Sequence, residues 1–537
     1  MTMTSTNPMT LRLSRRAACF VAGAALTLFV ALLVAGSARA DLAFDSVGVS
    51  ISEPPTLHLE VDTTPGSPTF GRLIPKPDVN DDGTFVDPLF SRQAGAHPDL
   101  SLAFKVKTGS DGLPVEGVRD VDVDLPKGMV GNPTGVPACR PADLINPGAG
   151  GANCAMGAQV GTAEIVAWAS GGRQEINVGL FNIAHGPDVP AQFGFNFSGV
   201  IGLITARVRP GDYGISSGSF AISQGEAVEA VRVTLWGVPG DPSHDWLRQD
   251  HVQQIGTVTN HFNTPQAFRL KLQAPPVPFL TLPPACTSEP LAFTVRGDSW
   301  EHPGAFDTRT LTADEDGTPF LMEGCEKVPF RPSVDVRPLA HGADGPSGLN
   351  VDLRVPQPQD PDGIASAHVR SVKVVFPEGV SVSPSSAAGL GACAPSEIGL
   401  GSNDPPSCPA SSKLGTITVD TPLLADPLQG DVILAKQNDN PFGSLIAMYI
   451  AIKGPGFYLK LPGRIDLDPV TGRVSAVFDN TPQLPFSRMR VQFNGGSQAP
   501  LATPTTCGTY STHVDVTSWT SDVPVGLDSP MTIDKNC

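Results

Sequence analysis

Val121-Asp122-Val123-Asp124-Leu125 alternates apolar and polar residues, and Val372-Lys373-Val374 alternates in the same way much later in the chain. A period of two is the pattern of a half-buried strand. Each run ends in the same turn, Pro126 with Gly128 and Pro377 with Gly379, because proline removes a ladder donor and glycine tolerates positive φ. The resemblance extends in both directions. VRDVDVDLPKGM from Val118 returns as VRSVKVVFPEGV from Val369, and each copy is followed by two cysteines fifteen positions apart, Cys139/Cys154 and Cys393/Cys408. Self-similarity on this scale means that one structural unit is used twice.

The centre of each copy reads as a hairpin. In the second copy, two alternating strands flank Asp468-Pro469-Val470-Thr471-Gly472 between Arg464 and Phe478; the first-copy partner runs from Ala206 to Phe220. Matching glycines places Gly214 on Gly472 and Ser217 on Ser475. Each copy closes with L-x-x-P-x-x-C, as Leu280, Pro283 and Cys286 and again as Leu501, Pro504 and Cys507, followed by Trp300 and Trp519 and by a last cysteine, Cys325 or Cys537. These landmarks divide the chain into a leader, 1–40, a first module, 41–328, and a second module, 329–537. The predicted fold class is all-β, two tandem Ig-like β-sandwich modules stapled by disulfides. Each module is long enough for one sandwich or two packed sub-sandwiches. With 56 glycines and 54 prolines, short strands and turns are favoured over helices.

The leader carries Arg12, Arg15 and Arg16, an apolar run from Ala17 to Val34, and Ala38-Arg39-Ala40, the layout of an export signal. It predicts an extracellular or cell-surface protein, and no later segment is apolar enough to span a bilayer. Arg15-Arg16 leaves the export route open. Removing the leader with Cys19 leaves eight cysteines, an even number that reads as disulfides in an exported chain. The pairing that is local and equivalent in both copies is Cys139–Cys154, Cys286–Cys325, Cys393–Cys408 and Cys507–Cys537. All 53 acidic residues follow Ala40, whereas four of the 36 basic ones precede it, so the mature net charge is −21. Nucleic acid, which is bound through basic patches, is thereby disfavoured as a partner.

At this level of detail the chain resembles a family of secreted, internally duplicated β-rich proteins from high-GC soil bacteria. The resemblance rests on Asn440-Pro441-Phe442-Gly443, the hairpin from Leu461 to Gly472, Pro482 to Phe486 and the segment from Ala499 to Pro504. It implies export and a duplicated β architecture, and it assigns no catalytic residue because the family has no characterised function.

Three stretches carry candidate chemistry. Gly214 to Gly218 satisfies G-x-S-x-G, which exposes a nucleophile only where a strand turns into a helix. Here the hairpin pattern predicts that Ser216 lies in a strand and is not a nucleophile. Asp78, Asn80 and Asp82 with Gly83 follow the spacing of a calcium loop, but Leu89 stands where the closing acid belongs and Asp87 is only nearby. Calcium is the one candidate ion. The longest difference between the copies is an insertion, 238–278, against the short Gly496 to Pro500 link. It holds the only strong helix signal and the cluster Asp241, His244, Asp245, Trp246 and His251. Rigid β scaffolds often place binding groups on such insertions, so it is the candidate contact for a cell-envelope component, a glycan or a second copy. The favoured function is a non-enzymatic envelope structural, adhesive or binding module; the alternative is a secreted hydrolase or a calcium-dependent polysaccharide binder.

Overall fold

The alternating segments form two antiparallel sheets of eleven strands each, one per copy. The computed structural model describes residues 42–52, 57–61, 73–77, 92–145, 152–169, 172–197, 199–248, 276–314, 317–383 and 389–537. Across the first sheet the strands are Phe44–Ser52, Asp99–Val106, Ala227–Leu235, Gln159–Ala169, Gly172–Ile183, Ala191–Phe197, Val200–Val208, Ile215–Ser219, Val118–Asp124, Phe293–Ser299 and Asp307–Leu311. The second sheet repeats that order with Ser333–Pro338, Leu349–Arg354, Arg488–Phe493, Lys413–Asp420, Leu428–Leu434, Ala447–Gly454, Phe457–Leu467, Val474–Phe478, Val369–Val375, Gly508–Ser518 and Ser521–Ile533. Each module is therefore built on one continuous main sheet, sandwich-like in enclosing a core between its own walls, with small two- or three-stranded sheets beside it.

Both sheets curl until their edge strands meet, and side chains tie the seam. In the second module Ser529 Oγ accepts from Val336 N at 2.8 Å and lies 3.3 Å from Val336 O. In the first, Asp307 accepts from Phe44 N at 2.9 Å. Bringing the edges together covers backbone groups that would otherwise invite pairing with another chain.

The disulfides join Cys139 to Cys154, Cys286 to Cys325, Cys393 to Cys408 and Cys507 to Cys537, all within one module. The two fifteen-residue loops do equivalent work. Cys139 N donates to Asn182 O, and Cys393 N to Leu434 O, so each loop lies along the outside of a strand. In the second module it packs Cys393 and Ile398 on Ile433, Tyr449 and Ala451. The inward side chains of that wall are apolar as well, which explains the unbroken run Ala447 to Ile452: the strand is buried on both faces.

Strand register corrects the repeat alignment by one residue. Ser217 lies opposite Val123, and Ala476 opposite Val374, so Ser217 corresponds to Ala476 and not to Ser475. The two turns then align Pro210 with Pro469 and Tyr213 with Gly472, and both of the latter have left-handed backbone, φ 56° and 69°. Gly472 has open space beside it. Tyr213 is a tyrosine in a conformation that costs a non-glycine residue roughly 1–2 kcal/mol.

What offsets that cost lies in the other module. The Tyr213 hydroxyl accepts from Lys460 N at 2.9 Å and donates to Lys460 O at 3.0 Å, and its ring packs with Val208 and Phe457. Elsewhere between the modules, Thr134 Oγ1 donates to Pro422 O at 2.8 Å, and Ala365 N to Gly95 O at 2.9 Å. At the tip of a second-module hairpin, Gly456 comes so close to Asp188 O that a Cβ would sit 2.3 Å from it. The modules are packed against each other through specific contacts.

The helix expected within 238–278 is a six-residue 3-10 turn, Pro242–Leu247, started by Asp241, whose side chain accepts from Ser243 N. Residues 249–275, with His251, lie outside the described residues, as do Asp78, Asn80, Asp82 and Asp87 of the calcium candidate. Trp300 and Trp519 are half-buried equivalents: each indole N–H donates to a backbone carbonyl, of Ile222 and Thr481, and each ring lies 5.5 Å from a guanidinium, of Arg119 and Arg370.

Candidate functional site

The described part of the insertion is turned into the protein. His244 is buried, with Nε2 3.0 Å from Asp99 Oδ2 and Nδ1 3.2 Å from Val238 O, and its ring stacks on the buried indole of Trp236 at 4.5 Å. Asp245 does not join it. Its carboxylate accepts from Arg248 Nε at 2.8 Å, and the Arg248 guanidinium lies 5.2 Å from the Trp236 ring centroid. Burial lowers the Arg248 pKa against the pull of Asp245 and Asp241. This network fixes the root of the insertion. Among the described residues no group of three or more His, Cys, Asp or Glu could hold a metal ion.

Ser216 is buried inside a strand, opposite Arg207 and Asp124 and with no helix behind it. Its Oγ donates to Asp124 Oδ1 at 2.6 Å, and Arg296 grips the same carboxylate at 2.8 and 2.9 Å while also reaching Asp122 at 2.9 Å. Burial alone would raise Asp124, but the bonds from Arg296 and Ser216 outweigh it and hold the carboxyl below its usual range. An acid so clamped is a poor base for activating the serine. The Val-Asp-Val-Asp alternation thus has a structural meaning: valines face the core and aspartates hold arginines on the opposite face.

A space suited to ligand binding lies inside the second sheet. There the inward side chains leave a cavity of about 340 Å³ that reaches the adjoining end of the first module. Its wall follows the inner face of Ala447–Gly454, through Met448, Ile450 and Ile452, and continues over Val432, Leu461 and Val491. Phe193, Ala206 and Phe279 of the first module also line it. Among the described residues no charged side chain lines it. Of its three hydroxyls, Thr421 donates to Pro485 O at 2.8 Å and Thr481 to Val369 O at 2.6 Å; the third is Ser217. The volume falls within the roughly 300–1,000 Å³ of small-ligand sites. Filling such a space with hydrocarbon is worth up to roughly 8 kcal/mol at about 24 cal/mol per Å³.

Neither the insertion nor the serine motif pointed to this site. Its residues are the ordinary Val, Leu and Ile of a sheet interior, and the cavity exists only because the sheet closes on itself.

No protein-family model and no curated protein matches the sequence. Solved structures give only a loose likeness. The C-terminal domain of the Streptococcus agalactiae antigen I/II polypeptide BspA is 7% identical over 84% of this chain and 98% of its own, with a TM-score of 0.18. The N-terminal domain of the Streptococcus gordonii adhesin Sgo0707 is 9% identical over 86% and 66%, also at 0.18. The C-terminal domain of Streptococcus pyogenes AspA is 7% identical over 84% and 97%, at 0.17. At these scores no residue role passes to this chain. Among the described residues no helix is long and apolar enough to cross a membrane.

Proposed function

We propose that the chain is exported and acts at or outside the cell surface as a non-enzymatic β-repeat binding protein. The carrying observation is the cavity of about 340 Å³ inside the second of two disulfide-tied, mutually docked β modules. Such a scaffold presents a preformed site. The one motif suggestive of hydrolysis, at Ser216, serves an ion-pair network instead. The four bridges fit an oxidising compartment, and the leader supplies a route to it. Envelope components are the partners such a location offers.

Cell fractionation combined with thiol labelling tests this reading. The full chain expressed in its host should appear outside the cytoplasm, with the eight cysteines from Cys139 to Cys537 blocked to maleimide until reduced, and should co-sediment with native envelopes. A cytoplasmic protein with free thiols would overturn it.

A further inference from the structure

We propose that the cavity binds one long hydrocarbon chain, such as the acyl chain of a lipid, which enters beside Leu423 and Leu424 where the two modules meet. This rests on the reading of the protein as a binding module and names the chemistry of its ligand.

Four observations lead there. First, the lining is apolar apart from hydroxyls, and the protons of Thr421 and Thr481 are already given to backbone carbonyls. A carboxylate or phosphate drawn inside would therefore meet at most the single Ser217 hydroxyl, far short of offsetting its desolvation, so the inserted part of the ligand is hydrocarbon and any polar head stays at the mouth. Second, the space is long. Ile446, in the bend before the strand, and then Met448, Ile450 and Ile452 along it line the cavity in succession, and the strand from Met448 to Ile452 alone extends about 13 Å. A cavity of about 340 Å³ stretched over that length suits a linear chain better than a compact ring system.

Third, the wall is braced from outside. Tyr449 and Ala451 alternate with the lining residues and pack under the segment tied by Cys393–Cys408, and the sheet's seam is bonded through Ser529. A braced wall resists collapse onto its own interior, which keeps the site formed before the ligand arrives. Fourth, there is an apolar mouth. Leu423 and Leu424 line the cavity yet are only half-buried, in the loop whose Pro422 carbonyl is held by Thr134 of the first module. An entrance at this seam lets a chain slide in while its head remains in water.

The experiment uses the mature chain, residues 41–537, stripped on a lipid-exchange resin and titrated with the fluorescent fatty acid cis-parinaric acid. Saturable binding is expected, with displacement by straight-chain fatty acids whose affinity rises about fourfold per added methylene until the cavity is full. Lysophosphatidylcholine with the same acyl chain separates the sources: equal displacement points to membrane lipid with its head outside, and displacement by the free acid alone points to free fatty acid. Ala476→Phe and Ile450→Trp, which fill the cavity, should weaken the probe by about tenfold or more, whereas Val470→Ser, at a position 91% exposed, should not. Should either filling variant fail to fold, the chain-length series in the unaltered protein decides. Absence of saturable binding, affinity independent of chain length, or unchanged affinity in folded filling variants would overturn the proposal. Such a failure in a protein that is still exported and oxidised would leave the wider reading in place.

Discussion

The two modules share a strand order, a disulfide plan and a hydrogen-bonding scheme, yet their interiors are furnished differently. In the first, Phe193 meets Phe279 edge-on at 5.8 Å and Phe293 meets Phe320 at 5.2 Å. Strand register and the repeat place Met448, Pro500 and Thr512 where the second module would carry the first three of those rings. Phe293 and Thr512 are both 0% exposed, and the Thr512 hydroxyl finds no partner among the described residues. The exchange is not uniform, since Leu125 corresponds to the bulkier Phe376, and Phe457, Phe478, Phe486 and Phe493 also line the second interior. The same backbone plan thus supports an aromatic core in one copy and a mainly aliphatic interior with a cavity in the other. Duplication allows this: one copy can supply packing while the other gives up packing for a site.

The comparison is broken most severely by making the first interior resemble the second. Phe293→Thr removes a buried ring and buries a hydroxyl, so it should cost about 4 kcal/mol in urea unfolding. A cost below about 1 kcal/mol would show that the aromatic core is itself loosely packed.

Acid should separate the modules next. His368 is buried where the first module has Gly117, as the matching bonds from Trp519 N and Trp300 N show. Burial, opposed by a backbone hydrogen bond, lowers its pKa to about 3. The unfolded chain takes up this proton near the ordinary histidine value of about 6.5, so between those values the unfolded state holds more protons and stability falls as pH drops. From about pH 6.5 to 4.5 the loss should be about 2.3 kcal/mol. That window lies above the titration of clamped acids such as Asp352, which bonds from Arg488 and Arg354 hold below the carboxylate range. His368→Asn should flatten the pH dependence of unfolding in this window; an unchanged slope would assign it to other groups.

A smaller effect tests the tie between modules. Tyr213→Phe keeps the ring but leaves Lys460 N unpaired, and should cost about 2 kcal/mol. Limited proteolysis should then cut more readily between the modules, near residues 329–332. Neither change would be seen if the ring alone held the junction.

Much of this architecture could be read from residues. The alternation at Val121 and Val372, the paired Pro-Gly turns and the cysteine spacing all depend on local chemistry that repeats along the chain, and the all-β class follows from them. The tie at Tyr213 could not be read, because Arg209 to Gly214 looks like a solvent-facing turn until the second module is placed against it. The one-residue slip in the hairpin alignment has the same origin: Gly214 and Gly472 look equivalent, but the left-handed position is filled by Tyr213 in one copy and Gly472 in the other. His244 looked like a candidate ligand because sequence gives its neighbours Asp241 and Asp245 and not its actual partners, Asp99 and Trp236. The cavity was the least legible feature. Met448, Ile450 and Ile452 have the same composition whether the opposite wall touches them or stands apart.

The most direct test is a crystal structure of the mature chain with a fatty acid brominated at its terminal carbon. The account predicts an anomalous bromine peak inside the second sheet, beside Met448, Ile450 or Ile452, with the carboxylate near Leu423 and Leu424. Bromine confined to the protein surface, with side chains occupying the space between Val432 and Val491, would contradict it.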